Sequence, residues 1–157
     1  MKKIISSIFA VWIAKTFIIS LFFKFSTAPI TVYIFTTIGD WLSLYLGDSF
    51  GVFFGQYAAY IIGIQELIIS LVLLWAIASY RSKIQSRLFF LGALGSILLM
   101  AGAIIFHLVT PLGIELVFEG ESDGGSLFYS AVVIVIFSFI LLIMNKKEGS
   151  LYYRISR

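Results

Sequence analysis

Four stretches of this sequence are each long and apolar enough to cross a lipid bilayer as a helix. They run from about residue 4 to 25, 60 to 80, 88 to 109 and 127 to 144, and a crossing helix needs about 20 mainly apolar residues. Only 12% of the 157 residues are charged, whereas soluble domains carry about 25%. So few charges cannot cover the surface of a soluble domain. The sequence therefore predicts an all-α polytopic membrane protein in a lipid bilayer, and excludes a soluble enzyme or a nucleic-acid-binding protein.

Nine of the eleven basic residues lie before the first span, between the second and third spans, or after the fourth span, and the other two lie within the first span. Lys2 and Lys3 precede the first span, the connection Arg81–Arg87 follows the second, and the segment Lys146–Arg157 follows the fourth. The other two connections contain acidic residues and no lysine or arginine. The positive-inside rule then predicts both termini in the cytoplasm, which agrees with the even number of spans. We expect a single membrane domain over residues 1–157.

The first outer connection, Ser26–Ala59, is long and aromatic. Its stretch Ile30–Leu46 is apolar enough to lie in the membrane interface, with Trp41 and Tyr45 at the depth of the headgroups. Pro29 suits the start of such a segment. The predicted fold is therefore a bundle of four transmembrane helices with an interfacial segment in the first outer loop.

Three charged residues and the single histidine fall within the spans or at their edges, namely Lys15, Lys24, Glu66 and His107. An ionisable residue in a bilayer is costly and is a candidate for a functional site. At about 1.5 Å per residue, Lys15 shares a level near the middle with Glu66, and Lys24 shares the outer edge with His107. The two lysines lie about 180° apart on a helix and cannot both face the bundle. We expect Glu66 to be the central counter-charge, paired with Lys15 or with Lys24.

Each of these residues also has a structural explanation. Glu66 and its lysine could form an ion pair that fixes the helix register, and His107 could be a solvated histidine at a helix end. Lys24 alone could anchor the first span at the membrane surface. The glycines of the third span favour close helix packing rather than a gate; they are Gly92, Gly95 and Gly102.

Cofactor sites are restricted by the absence of cysteine and by the single histidine. The chain cannot build an iron–sulfur cluster, a thiolate metal site or a multi-histidine metal site by itself. No metal site is predicted, and no cofactor is encoded by a recognisable motif.

Four short motifs follow one another along the spans. They are Ser20-Leu-Phe-Phe-Lys24-Phe25, Ile64-Gln65-Glu66-Leu67, Met100-Ala-Gly-Ala-Ile-Ile-Phe-His107-Leu108 and Gly125-Ser-Leu-Phe128-Tyr-Ser-Ala131. In the order and position of these motifs, the chain resembles the DoxX-like family of four-helix membrane proteins. The family's first helix commonly closes with a lysine, its second starts with a glutamate and its third carries a histidine. These match Lys24, Glu66 and His107, whereas Lys15 has no clear counterpart.

The resemblance implies a bacterial inner-membrane protein associated with redox partners. Members of the family include a quinone-reducing thiosulfate oxidoreductase subunit, and other branches act in protein maturation or cargo export. We therefore expect a quinone-linked membrane subunit that docks a catalytic redox protein, an accessory subunit rather than a self-sufficient enzyme. Glu66, Lys24 and His107 would then line a pocket for quinone that opens at the outer leaflet.

Two other functions stay open at this point. An assembly, chaperone or cargo factor would use the aromatic first loop and the acidic second loop as its partner surface, and the acidic residues are Glu115, Glu119, Glu121 and Asp123. A transporter of protons or small solutes would use Glu66 and its lysine. Four helices enclose little space, so a transporter of this size would have to form an oligomer.

Overall fold

The computed structural model describes residues 2–80 and 82–149, which form five helices and one small β-hairpin. The elements are α1 Lys2–Phe25, α2 Pro29–Leu46, α3 Asp48–Ala78, α4 Gln85–Val109, β1 Val117–Phe118, β2 Glu121–Ser122 and α5 Ser126–Gly149. Helices α1, α3, α4 and α5 are long and apolar enough to cross a membrane. The prediction of an all-α bundle of four membrane helices is confirmed.

The four long helices pack in the cyclic order α1, α3, α4, α5 around a common core. Ile13, Phe17, Leu73, Phe89 and Leu141 are fully buried there. The outer faces carry large apolar side chains that are exposed, as in lipid-facing helices and unlike most soluble proteins. Examples are Phe22, Leu98 and Ile8, which are 74%, 68% and 61% exposed.

One end of the bundle, here named the basal end, holds the start of α1, the end of α3 and the last part of α5. Lys3 Nζ donates a hydrogen bond to the Tyr80 carbonyl oxygen over 3.0 Å, and Asn145 Nδ2 donates one to Ser6 Oγ over 3.2 Å. The basic segments within the described residues therefore meet at one end, as the charge pattern predicts. Which side of the membrane this end faces stays a prediction, and residues 150–157 lie outside the described part of the chain.

The first outer connection is more ordered than predicted. The predicted interfacial segment Ile30–Leu46 forms helix α2, and the helix that contains the predicted second span begins at Asp48, twelve residues before the predicted start near residue 60. The turn between α2 and α3 is the single residue Gly47, whose φ of +89° favours glycine. The glycines that follow it resemble a loop in sequence, yet they are the surface on which α2 packs.

Helices α2 and α3 cross at unusually close range. A Cβ on Gly39 would lie 2.5 Å from the carbonyl oxygen of Gly51, and a Cβ on Gly51 would overlap Ser43 Oγ. Only glycine at both positions allows the backbones to approach this closely. The contact holds α2 antiparallel to the first half of α3, so that α2 forms a wall at the end of the bundle opposite the basal end, here named the loop end.

The acidic second connection also covers the loop end. Strands β1 and β2 pair antiparallel through a two-residue turn, Glu119-Gly120, in which both φ values are positive, as a type I′ turn requires. Leu112 and Leu116, which precede the hairpin, are buried against α2. The second connection thereby packs over α2 at this end of the bundle.

Candidate functional site

A cavity of about 640 Å³ lies inside the bundle towards the loop end. Each helix contributes an apolar side chain to its wall, among them Phe17, Ile34, Phe54, Phe106 and Ala131. The volume is typical of small-molecule sites, which measure about 300–1,000 Å³. Several polar side chains also reach the wall, and they include Ser20, Lys24, Gln65, Glu66, His107 and Asp123.

A buried ion pair lies in the wall of this cavity. Lys24 Nζ is 2.9 Å from both carboxylate oxygens of Glu66. Ser20 Oγ donates a hydrogen bond of 2.8 Å to Glu66 Oε2 and is also in contact with Lys24 Nζ. Glu66 is only 3% exposed and Lys24 15% exposed. Charges this deeply buried are tolerated because each has its partner and further hydrogen bonds.

This ion pair corrects the depths in the membrane that residue counting predicts for the two lysines and Glu66. Lys24 belongs with Glu66, whereas Lys15 lies exposed on the outer face of α1 with no ion pair or hydrogen bond among the described residues. In a helix the Cα–Cβ bond tilts towards the N-terminus. Helices α1 and α3 run antiparallel, so the two long side chains lean towards each other and close the gap that counting residues predicts. The prediction that the two lysines face opposite sides is confirmed.

His107 lies on α4, in the wall of the same cavity. It is 8% exposed, and its Nδ1 is 2.7 Å from the carbonyl oxygen of Gly113. Because a carbonyl only accepts, Nδ1 carries the hydrogen, and in the neutral ring Nε2 is then an acceptor. The edge of the ring also meets Phe128, with centroids 5.9 Å apart. The alternative of a solvated histidine is therefore wrong.

Asp123 accepts hydrogen bonds from three backbone N–H groups at the loop end. Its Oδ1 accepts hydrogen bonds of 2.8 Å from the N–H groups of Leu116 and Gly125, and its Oδ2 accepts one of 3.1 Å from Leu127. Burial opposes the charged form, but the hydrogen bonds outweigh it and hold the pKa of this carboxyl below its usual value. Asp123 thus joins the hairpin to the start of α5, and differs in role from the other acidic residues of the loop.

The other three acidic residues of the predicted partner surface are exposed. Glu119 is at the tip of the turn, Glu121 is in β2, and Glu115 accepts a hydrogen bond of 3.4 Å from Ser122 Oγ. They lie at the loop end, on the outer surface of the second connection.

Two residues of the site were missed or misjudged from sequence. Ser20 is one helical turn before Lys24 on the same face of α1, and this spacing could have indicated it. Gly102 was expected to pack closely, yet no side chain or neighbouring helix lies within 4 Å of the position that its Cβ would take. Gly92 and Gly95 do pack against α3 as expected. Gly102 instead leaves space that belongs to the cavity.

Comparisons of the chain with protein-family models, with curated proteins and with solved structures found no match. The resemblance to the DoxX-like family therefore stays a prediction that depends on the motifs. Its three residues, Lys24, Glu66 and His107, come from three different helices and line one cavity. One detail departs from the expected pattern, because Glu66 lies in the middle of α3 rather than at its start.

Proposed function

We propose that this protein binds the headgroup of a membrane quinone in the cavity and serves as a DoxX-like, redox-associated membrane subunit. One observation carries the proposal: a lysine ammonium, a carboxylate and a histidine ring line one mainly apolar cavity within a membrane bundle. These groups are Lys24 Nζ, the Glu66 carboxylate and His107 Nε2. Apolar cavities with a few convergent polar groups are the usual form of small-molecule sites.

The polar groups suit both redox forms of a quinone. A quinone offers two carbonyl acceptors, whereas the quinol offers two hydroxyl donors that must also be able to release protons. The charge of the Lys24 ammonium attracts a carbonyl oxygen, and His107 Nε2 can accept from a hydroxyl when the ring is neutral. Glu66 is the acceptor nearest to Lys24 and is held in place by Ser20. The quinone supplies the two-electron chemistry when bound, and the side chains orient it and exchange protons with it.

Electrons have to enter or leave through a second protein, because this chain contains no cysteine and no encoded redox group. We propose the exposed carboxylates of the hairpin as the docking surface for a redox partner with a basic face. Such charge complementarity steers association. The residues are Glu115, Glu119 and Glu121.

Quinone retention tests the binding proposal. The full chain is purified in mild detergent, its lipids are extracted, and quinone is measured from the absorbance change on chemical reduction. We expect quinone with the wild type, and its loss with Gly102→Phe, because the ring fills cavity space beside Gly102. Leu91→Phe is the control, since Leu91 is on the same helix but is 57% exposed on the outer face.

Equal quinone content in the wild type and in Gly102→Phe would refute the proposed site. His107→Ala provides a second variant, which is expected to lower quinone content by removing the acceptor while leaving α4 intact. A partner captured by crosslinking at Glu119 from protein that never contains quinone would instead favour the assembly or cargo function.

A further inference from the structure

Helices α3 and α4 separate progressively from the basal end towards the loop end. Near the basal end a Cβ on Gly92 would lie 2.5 Å from Leu73 Cδ2, and one turn later a Cβ on Gly95 would lie 3.1 Å from Ile69 Cγ1. Two turns further on, a Cβ on Gly102 would meet no neighbouring helix within 4 Å. The gap between the two helices therefore widens at the level of the cavity.

A second space of about 400 Å³ occupies this gap on the outer surface of the bundle. Three residues, Gln65 of α3 and Leu98 and Leu99 of α4, line both this space and the cavity. We name these three residues the portal. Leu98 is 68% exposed, and the neighbouring Ile68 is 55% exposed. The portal therefore lies between the cavity and a space on the apolar outer surface of the bundle, which faces lipid in a membrane.

Gln65 is an unusual residue for that position. Its amide is exposed within a membrane-spanning helix and forms no hydrogen bond among the described residues. A polar group without a partner in hydrocarbon costs free energy. An amide at the portal can offset that cost when a polar headgroup passes or rests beside it.

We propose that the portal is the lateral entrance of the site: the quinone enters from the bilayer between α3 and α4, and its isoprenoid tail stays in the portal. This inference rests on the proposed function, since the tail belongs to the ligand whose headgroup occupies the cavity. At the loop end, Leu112 and Leu116 are buried against α2 and are 5% and 1% exposed. The portal lies between the cavity and the outer space, and its side chains are apolar except for Gln65.

A tail-labelled probe tests this entrance. The full chain is placed in lipid nanodiscs with a decyl-tailed benzoquinone that carries a photoactivatable diazirine at the end of its tail. We expect labelling on both sides of the gap, at Ile68 of α3 and Leu98 of α4, and suppression of that labelling by the same quinone ring without a tail. Mass spectrometry identifies the labelled residues.

The two proposals fail in different ways in this experiment. Suppressible labelling on another face, such as Ile136 of α5, would overturn the portal and leave quinone binding intact. Labelling that the tail-less ring does not suppress would show that the headgroup site is absent, which would overturn both proposals.

A matched pair of variants separates the tail from the headgroup. Ile68→Trp narrows the outer space at a residue that does not line the cavity, and Leu71→Trp adds the same ring on the outer face of the same helix. If Trp displaces about two methylene groups of the tail, affinity for the tailed quinone falls about tenfold. The tail-less ring should bind the wild type and both variants alike. An equal loss for both ligands in Ile68→Trp, or no loss for either, would overturn the portal.

Discussion

The ion pair between Lys24 and Glu66 leads to the sharpest prediction about stability. Glu66→Gln leaves the Lys24 ammonium buried without its counter-charge, and Lys24→Met leaves the carboxylate in the same condition. Removing one partner of a buried pair costs about 3–5 kcal/mol. The lower end applies here, because Ser20 keeps one hydrogen bond to residue 66 and Lys24 is 15% exposed.

The double variant, Glu66→Gln with Lys24→Met, should cost less than either single change. Both charges are gone, the hydrogen bond from Ser20 to the amide oxygen is retained, and Met fills most of the lysine's space. Replacing a buried pair in this way is often close to neutral. We therefore expect a coupling free energy of at least about 2 kcal/mol between the two positions.

The assay is the free energy of unfolding of the full chain in mixed micelles, measured by titration with a denaturing detergent. Lys15→Met is the matched control, because it removes a lysine from the same helix that has no ion pair among the described residues. Its effect should be small and should add to that of Glu66→Gln. Full additivity of Lys24→Met with Glu66→Gln, or coupling of Glu66→Gln to Lys15→Met instead, would refute the assignment of the pair.

Two further predictions concern the loop end. Gly51→Ala should destabilise the protein by about 1–3 kcal/mol through overpacking between α2 and α3. Gly55→Ala is the control and should not destabilise it, because a Cβ there has ordinary contacts of 3.5 Å or more. Equal falls in melting temperature for the two variants would contradict the close contact at Gly51. Asp123→Ala should cost about 0.5–2 kcal/mol, as for the loss of a helix cap. Because the folded pKa of Asp123 is lowered, its stabilisation is complete above the ordinary aspartate pKa and is lost as the pH falls through the lowered value. Hydrogen exchange of the hairpin amides should show this acid sensitivity in the wild type but not in Asp123→Ala.

The sequence alone determined the number of membrane helices and the grouping of the basic segments. Hydropathy and charge belong to each stretch by itself, because lipid requires every spanning segment to satisfy its own backbone hydrogen bonds. The predicted spans at residues 88–109 and 127–144 accordingly lie within α4 and α5. The sequence did not predict where α3 begins. The glycines in its first turns are typical of a loop, and only their packing against α2 explains why they are helical.

Only the tertiary structure decided which lysine meets Glu66 and what Gly102 does. Counting residues gives a level along each helix, but the rotation and tilt of a helix depend on the neighbours against which it packs. The antiparallel helices α1 and α3 direct the side chains of Lys24 and Glu66 towards each other, and the divergence of α3 from α4 converts a small residue into open space. The cavity and its portal exist only between helices, so no single stretch of sequence could have contained them.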